Sequence, residues 1–159
     1  MCGSSPKREG RGEIKMREVI LKGRGLNGGV ATGEALVAKP INFFGGYMQG
    51  ILSGKLTSIE DTKHELYGKS LEGKILVFPF SIGSLAGGVS LLEAIIQGVG
   101  PKAIINTKTD GVLLAGPVFA RVFYGIEVPV VDSLDEDPME IIRNGDRLTV
   151  DGERGTVQV

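Results

Sequence analysis

The sequence predicts a mixed α/β fold built around a strand–helix–strand crossover, and three observations carry that expectation. First, residues 74–80 form an apolar run of strand length, Lys-Ile-Leu-Val-Phe-Pro-Phe, and the residues after it place Leu85, Val89, Leu92, Ile95 and Ile96 at the spacing of one buried helical face. Second, residues 102–106, Lys-Ala-Ile-Ile-Asn, make another buried strand, so the three elements form one right-handed crossover with parallel strands. Third, the 25 glycines are scattered at turn positions rather than gathered in one tract, which calls for many short strands and tight turns. Nothing repeats at a fixed period, which sets solenoids and propellers aside.

Taken in order, residues 1–16 hold almost nothing that can be buried and read as a disordered or extended tail, with Met16 as an alternative start. A single domain is expected over residues 17–159. Residues 18–22 and 33–39 read as strands, with a turn at Gly23-Arg24-Gly25 between them. Residues 41–47, Ile-Asn-Phe-Phe-Gly-Gly-Tyr, read as an aromatic loop folded onto the core, and residues 51–64 as a polar loop with a short strand or two. The central helix covers residues 85–97 and stops at Gly98, with Pro101 soon after. Gly116-Pro117 opens a short helix, with Pro in its first turn and Gly125 closing it. Residues 128–132 are a buried strand, residues 137–142 a further helical turn, and residues 147–150 and 156–159 a last hairpin. The sum is a mixed sheet with two to three helices.

Composition excludes several functions. With 18 basic and 19 acidic residues the net charge is −1, which gives no general drive toward nucleic acid or an anionic membrane. The longest apolar runs fall well short of the roughly 20 residues needed to cross a bilayer, and no signal peptide is visible. Cys2 has no second cysteine to pair with and fits a reducing, cytoplasmic setting. His64, set in Asp61-Thr62-Lys63-His64-Glu65, reads as an exposed imidazole, and no metal site is expected because no second His or Cys exists to join it.

The chemistry points to residues 81–88, Ser-Ile-Gly-Ser-Leu-Ala-Gly-Gly. A strand that feeds a glycine-rich turn at a helix start gathers unpaired N–H groups, an arrangement suited to an anion or an alkoxide. From spacing alone Ser84 is either the N-cap of its helix, contributing about 1 kcal/mol, or a reactive hydroxyl. Ser81 reads as a turn residue. The backbone N–H groups of Gly83, Ser84, Leu85 and Ala86 are the candidate cradle. Residues 106–111, Asn-Thr-Lys-Thr-Asp-Gly, follow the second strand at its carboxyl end, where open α/β sheets place ligands, so the two polar turns are expected to share a mouth. The Lys of a nucleotide P-loop is absent.

From about Arg17 to the C-terminus the chain resembles the small subunit of the aconitase X dehydratases. The resemblance rests on Gly33-Glu34-Ala35-Leu36-Val37, the Ile41 to Gly46 loop, Gly68 to Pro79, the Gly83-Ser84 turn and Pro101 to Asn106, which are specific together although each is weak alone. It implies a swivelling β/β/α domain that docks on a larger subunit holding an iron–sulfur cluster, with a small carboxylate as substrate and Ser84 in the position of the family's proton-abstracting serine. This chain would bind no cofactor by itself, since Cys2 alone cannot hold a cluster. The branch acting on phosphomevalonate matches best. Ile82 and Gly88 depart from the family's turn, where a basic or polar residue and a second serine are common, and residues 119–125 look more like the branch acting on cis-3-hydroxyproline. Two other classes compete. A phosphohistidine carrier needs a His in the turn before the helix, and this turn has none; a noncatalytic docking module would use the glycine-rich loops only to seat a partner.

Overall fold

The computed structural model describes residues 18–159; the tail, Cys2 and Met16 lie outside the described residues. Eight strands form one mixed sheet: β1 (Ile20–Lys22), β2 (Arg24–Asn27), β3 (Val30–Val37), β4 (Lys74–Phe78), β5 (Ala103–Asn106), β6 (Val130–Asp132), β7 (Arg147–Asp151) and β8 (Thr156–Gln158). Their order across the sheet is β1-β8-β7-β3-β4-β5-β6-β2. The centre, β3 to β6, is parallel, and antiparallel strands flank it on both sides. Four helices complete the domain: α1 (Phe43–Ser53), α2 (Ala86–Ile96), α3 (Gly111–Tyr124) and the single turn α4 (Pro138–Ile141).

Strand alternation splits the interior into two cores. Leu76 and Phe78 of β4, with Ile104 and Val130, face the helices and pack with Phe43, Tyr47, Leu91 and Leu113. Ile75 and Val77, with Ile105 and Val131, face the other way and meet Leu21, Leu148, Val150 and Val157 from the antiparallel half. The sheet therefore curls back on itself. Hydrogen bonds from Gly23 N to Gly155 O (2.8 Å) and from Gly152 N to Gly29 O (2.8 Å) tie the flanks of β2 to the last hairpin. This gives two β layers and one helical layer, the expected β/β/α arrangement.

Four elements differ from the sequence expectation, each for a physical reason. The aromatic loop at residues 41–47 is the start of α1. Three glycines make it a weak helix former, but Asn42 caps it by accepting from Gly45 N (3.1 Å), and Phe43 and Tyr47, one turn apart, bury against the core. Two of the glycines serve close packing: a Cβ on Gly50 would meet the Leu56 side chain at 2.9 Å and one on Gly46 the Ile59 side chain at 3.1 Å. The Gly23-Arg24-Gly25 turn is largely strand β2, because a glycine at 25 lets the chain run against the last hairpin, where a Cβ would lie 2.0 Å from Gly152 O. No strand forms in residues 54–73. Helix α3 begins at Gly111, not at Gly116, because Asp110 caps it; Pro117 sits inside the helix, and Gly125 closes it at φ 65° as expected.

His64 is not a free surface imidazole. Its Nδ1 accepts from Leu66 N (3.0 Å), which leaves Nε2 to donate to Pro40 O (3.1 Å), so the ring braces the 54–73 segment against the β3–α1 connection. Tyr47 lies fully buried, and burial pushes its phenol well above the ordinary range; among the described residues its hydroxyl has no hydrogen-bond partner. Among the described residues no helix is long and apolar enough to cross a membrane.

Candidate active site

Three connections meet at the carboxyl ends of the parallel strands β3, β4 and β5, where open α/β sheets gather ligands. Beyond β4 the chain passes Pro79 and Phe80 and pairs Ser81 with Ile41 in an isolated parallel bridge; Ile82 N donates to Ile41 O (2.9 Å). Gly83 then turns at φ 100°, in the left-handed region that glycine tolerates best. A side chain there would also strike the amide of Asn42, whose Cγ, Nδ2 and Oδ1 all lie 2.7 Å from the position of a Cβ. Asn42 thus holds α1 with its Oδ1 and shapes the serine turn with its face.

Ser84 lies on the exposed rim of this turn. Its Oγ accepts from Ala86 N (3.1 Å), and its carbonyl oxygen accepts from Gly87 N (2.9 Å). The hydroxyl is therefore not the formal N-cap: that position falls on Leu85, which is helical at φ −53° and ψ −28° and offers no side-chain cap. Of the candidate cradle, Ala86 N–H points to Ser84 itself. Among the described residues the N–H groups of Gly83, Ser84 and Leu85 have no hydrogen-bond partner.

The loop after β5 closes the other side. Buried Asn106 donates from Nδ2 to Phe78 O (3.0 Å), and Thr107 N and Lys108 N both donate to Pro79 O (3.0 and 3.1 Å), so the two polar turns are strapped together. Asp132 fixes the loop from below. Its Oδ2 accepts from Thr109 N (2.9 Å), while Arg24 approaches both carboxylate oxygens through Nε and a terminal nitrogen (2.9 Å each). Burial alone would raise the Asp132 pKa; the Arg24 guanidinium and the Thr109 N–H outweigh it and hold the carboxyl below the usual range.

Asp110 belongs to the 106–111 turn that the sequence places at the mouth, where it was not singled out as a site residue. One oxygen, Oδ1, accepts from Leu113 N (2.8 Å) and caps α3; the other accepts the hydroxyl of Ser81, so Ser81 is more than a turn residue. The available signal was Asp110-Gly111 immediately before an apolar run, the pattern of an N-cap. Ser81, Gly83, Ser84, Asp110 and Phe43 line a shallow cavity of about 170 Å³. Its only charged lining residue is Asp110, and no cation lines it. Gly88, also on the wall, marks a close approach of α2 to α3: a Cβ would lie 2.2 Å from Val112 O, so a serine has no room there.

Chemically, the arrangement presents one exposed hydroxyl beside open amide donors at a helix start, a setting that favours a negatively charged oxygen. It does not present a metal site. Among the described residues no three His, Cys, Asp or Glu side chains converge as ligands, so an iron–sulfur cluster finds no donor set here.

The profile of the aconitase X swivel domain matches residues 20–159. A protein of Methanocella arvoryzae named phosphomevalonate dehydratase small subunit is 38% identical over 140 residues, covering 87% of this chain and 98% of the relative. One of the same name from Archaeoglobus fulgidus is 39% identical over 137 residues, covering 86% and 95%. Among solved structures, the holo-form of aconitase X from Thermococcus kodakaraensis superposes with a TM-score of 0.74 at 30% identity, over 88% of this chain and 97% of the other.

Proposed function

This chain belongs to the aconitase X swivel-domain family, and on that premise we propose that it is the small subunit of a cytoplasmic hydro-lyase in which Ser84 accepts the substrate proton. The relatives' names supply the substrate, phosphomevalonate, and the anhydro acid phosphate is then the product. The observation that carries the reading is Ser84 itself: exposed, lodged between the left-handed Gly83 and an uncapped helix, and already hydrogen-bonded to the Ala86 amide.

Removing water across a carbon–carbon bond takes a proton acceptor and a group that receives the departing hydroxyl. This chain supplies the first. When Ser84 carries negative charge, Ala86 N–H is in place to hold it, the amides of Gly83 and Leu85 are unspent, and the α2 dipole points its positive end at the oxygen. A helix start contributes only about 0.3–1 kcal/mol when exposed and up to about 2 kcal/mol when partly buried. That is too little to make a serine basic in open water. Oxyanion donors act most strongly where water is excluded, so the reactive state is a covered one. The second requirement, and the cluster the family implies, we assign to the larger partner chain, since the described residues cannot ligate it.

Replacing Ser84 in the purified pair tests this. Ser84→Ala is expected to lower turnover of phosphomevalonate by about 10²- to 10⁴-fold, the range for loss of a positioned general base, with pairing intact. Unchanged turnover would remove Ser84 from the chemistry and leave the docking-module reading. A pair that dehydrates cis-3-hydroxyproline and ignores phosphomevalonate would overturn the substrate but keep the role of Ser84.

A further inference from the structure

We propose that the large subunit seats on one continuous apolar face of this chain, running from the first turn of α2 to the last turns of α3, and that it brings a basic side chain to Asp110. The proposal rests on the functional reading above, because it is the covered state of Ser84 that requires an occupant. The face is unusual for a free domain. Leu85 is 82% exposed, Val89 67%, Phe119 45%, Val122 67% and Phe123 70%, although core side chains a turn away are sealed. Scattered apolar residues are normal on a surface; a contiguous patch marks an interaction site.

Contiguity is visible in the geometry. A groove of about 270 Å³ has Leu85 and Val89 on one wall and Ala115 and Phe119 on the other. The rings of Phe119 and Phe123 touch, with centroids 5.8 Å apart, which extends the face along α3. Gly88 and Val112 line both this groove and the cavity beside Ser84, so whatever fills the groove borders the reactive hydroxyl.

Charge selects the occupant. The cavity is lined by one carboxylate and no cation, whereas the functional reading above calls for an anionic substrate beside Ser84. A second copy of this chain would bring the same apolar face and another Asp110, which completes nothing. An apolar surface carrying Arg or Lys opposite Asp110 both covers the patch and neutralises the mouth.

Pairing affinity with the cognate large subunit, measured by calorimetry at two ionic strengths and without reference to turnover, tests the proposal. Val89→Asp and Phe123→Asp are each expected to weaken pairing at least 100-fold while the melting temperature of the isolated chain holds. Tyr67→Asp, a control on an exposed aromatic outside the groove, should pair as the natural chain does. Asp110→Lys should weaken pairing at least 10-fold and flatten its salt dependence, and Asp110→Asn, which keeps the α3 cap, should do so less. Natural affinity in the two patch variants overturns the proposal, as does a self-associating chain whose dimer dissolves in those variants while the large subunit still binds. A pair that forms as expected but dehydrates nothing sinks the functional reading and leaves the interface standing.

Discussion

The two helices that begin at the mouth start in opposite ways. Both follow parallel strands of the same sheet, β4 and β5, and both are preceded by a polar turn. At α3 the Asp110 backbone is extended, its Oδ1 accepts from Leu113 N, and its second oxygen takes the Ser81 hydroxyl, so both carboxylate oxygens are engaged. At α2 the cap position is occupied by helical Leu85, whose side chain makes no cap bond, and Ser84, one residue earlier, takes Ala86 N on its Oγ and Gly87 N on its carbonyl oxygen. One turn commits its polar side chain to the helix and to Ser81; the other leaves its hydroxyl exposed beside the amides of Gly83, Ser84 and Leu85, unpaired among the described residues. An unsatisfied helix end in the open costs little, because water serves it, and it becomes a binding feature when water leaves. Reactivity thus falls to the turn that a stability argument would count as the poorer one.

That contrast can be broken deliberately. The largest structural effect is expected where the two helices touch: Gly88→Ala sets a methyl against Val112 O and must push the start of α3 away, costing about 3 kcal/mol in denaturant unfolding and loosening both turns together. Next comes the support beneath the closed turn. Asp132→Asn weakens the bonds from Arg24 and Thr109 and should cost about 2 kcal/mol near neutral pH. Because the folded Asp132 pKa lies below its unfolded value, the stabilisation is present above about pH 4, the ordinary Asp value, and is lost as pH falls through the folded value. The natural chain should therefore lose its advantage over Asp132→Asn on acidification; an advantage that persists in acid would show that the charge is not what holds the loop. The smallest effect sharpens the comparison most. Asp110→Ala removes the α3 cap and should cost about 1 kcal/mol, whereas Asp110→Asn retains a capping oxygen and should melt close to the natural chain. Equal melting of all three would mean that α3 is no better closed than α2.

Much of this was legible in the chain. The central crossover follows from residues whose patterns are local: the apolar run at 74–78, the helical spacing of Leu85 to Ile96, and the stop at Gly98, observed at φ 77°. The buried face of that helix was misassigned, however: Leu91, Ala94 and Ile95 are sealed, whereas Leu85 and Val89 are exposed, because α2 turns its small residues Gly87, Gly88 and Ser90 inward instead and meets α3 at Gly88. The hairpin at β7 and β8 and the helical turn at residues 137–142, observed as α4, were equally readable. Helix α1 was not, because its glycines argue against a helix locally while Phe43 and Tyr47 gain from burial only once the sheet and α2 are present. The start of α3 was misplaced because Pro117 is a stronger local signal than the Asp110 cap that overrides it. His64 looked solvated from its charged neighbours, and only the fold brings Pro40 O to its ring.

By itself the sequence determined the layered α/β class, the strand that delivers Ser84 to a helix start, and the family, since strand runs, helical periodicity and glycine turns are written in short stretches of chain. Only the tertiary structure decided that the helix behind Ser84 is left uncapped, that Asp110 reaches Ser81 across 29 residues, and that the apolar side chains of α2 and α3 form one uncovered face. Those facts depend on how three loops from three strands pack through space, and no local pattern encodes a distance between residues that meet only after the sheet has formed.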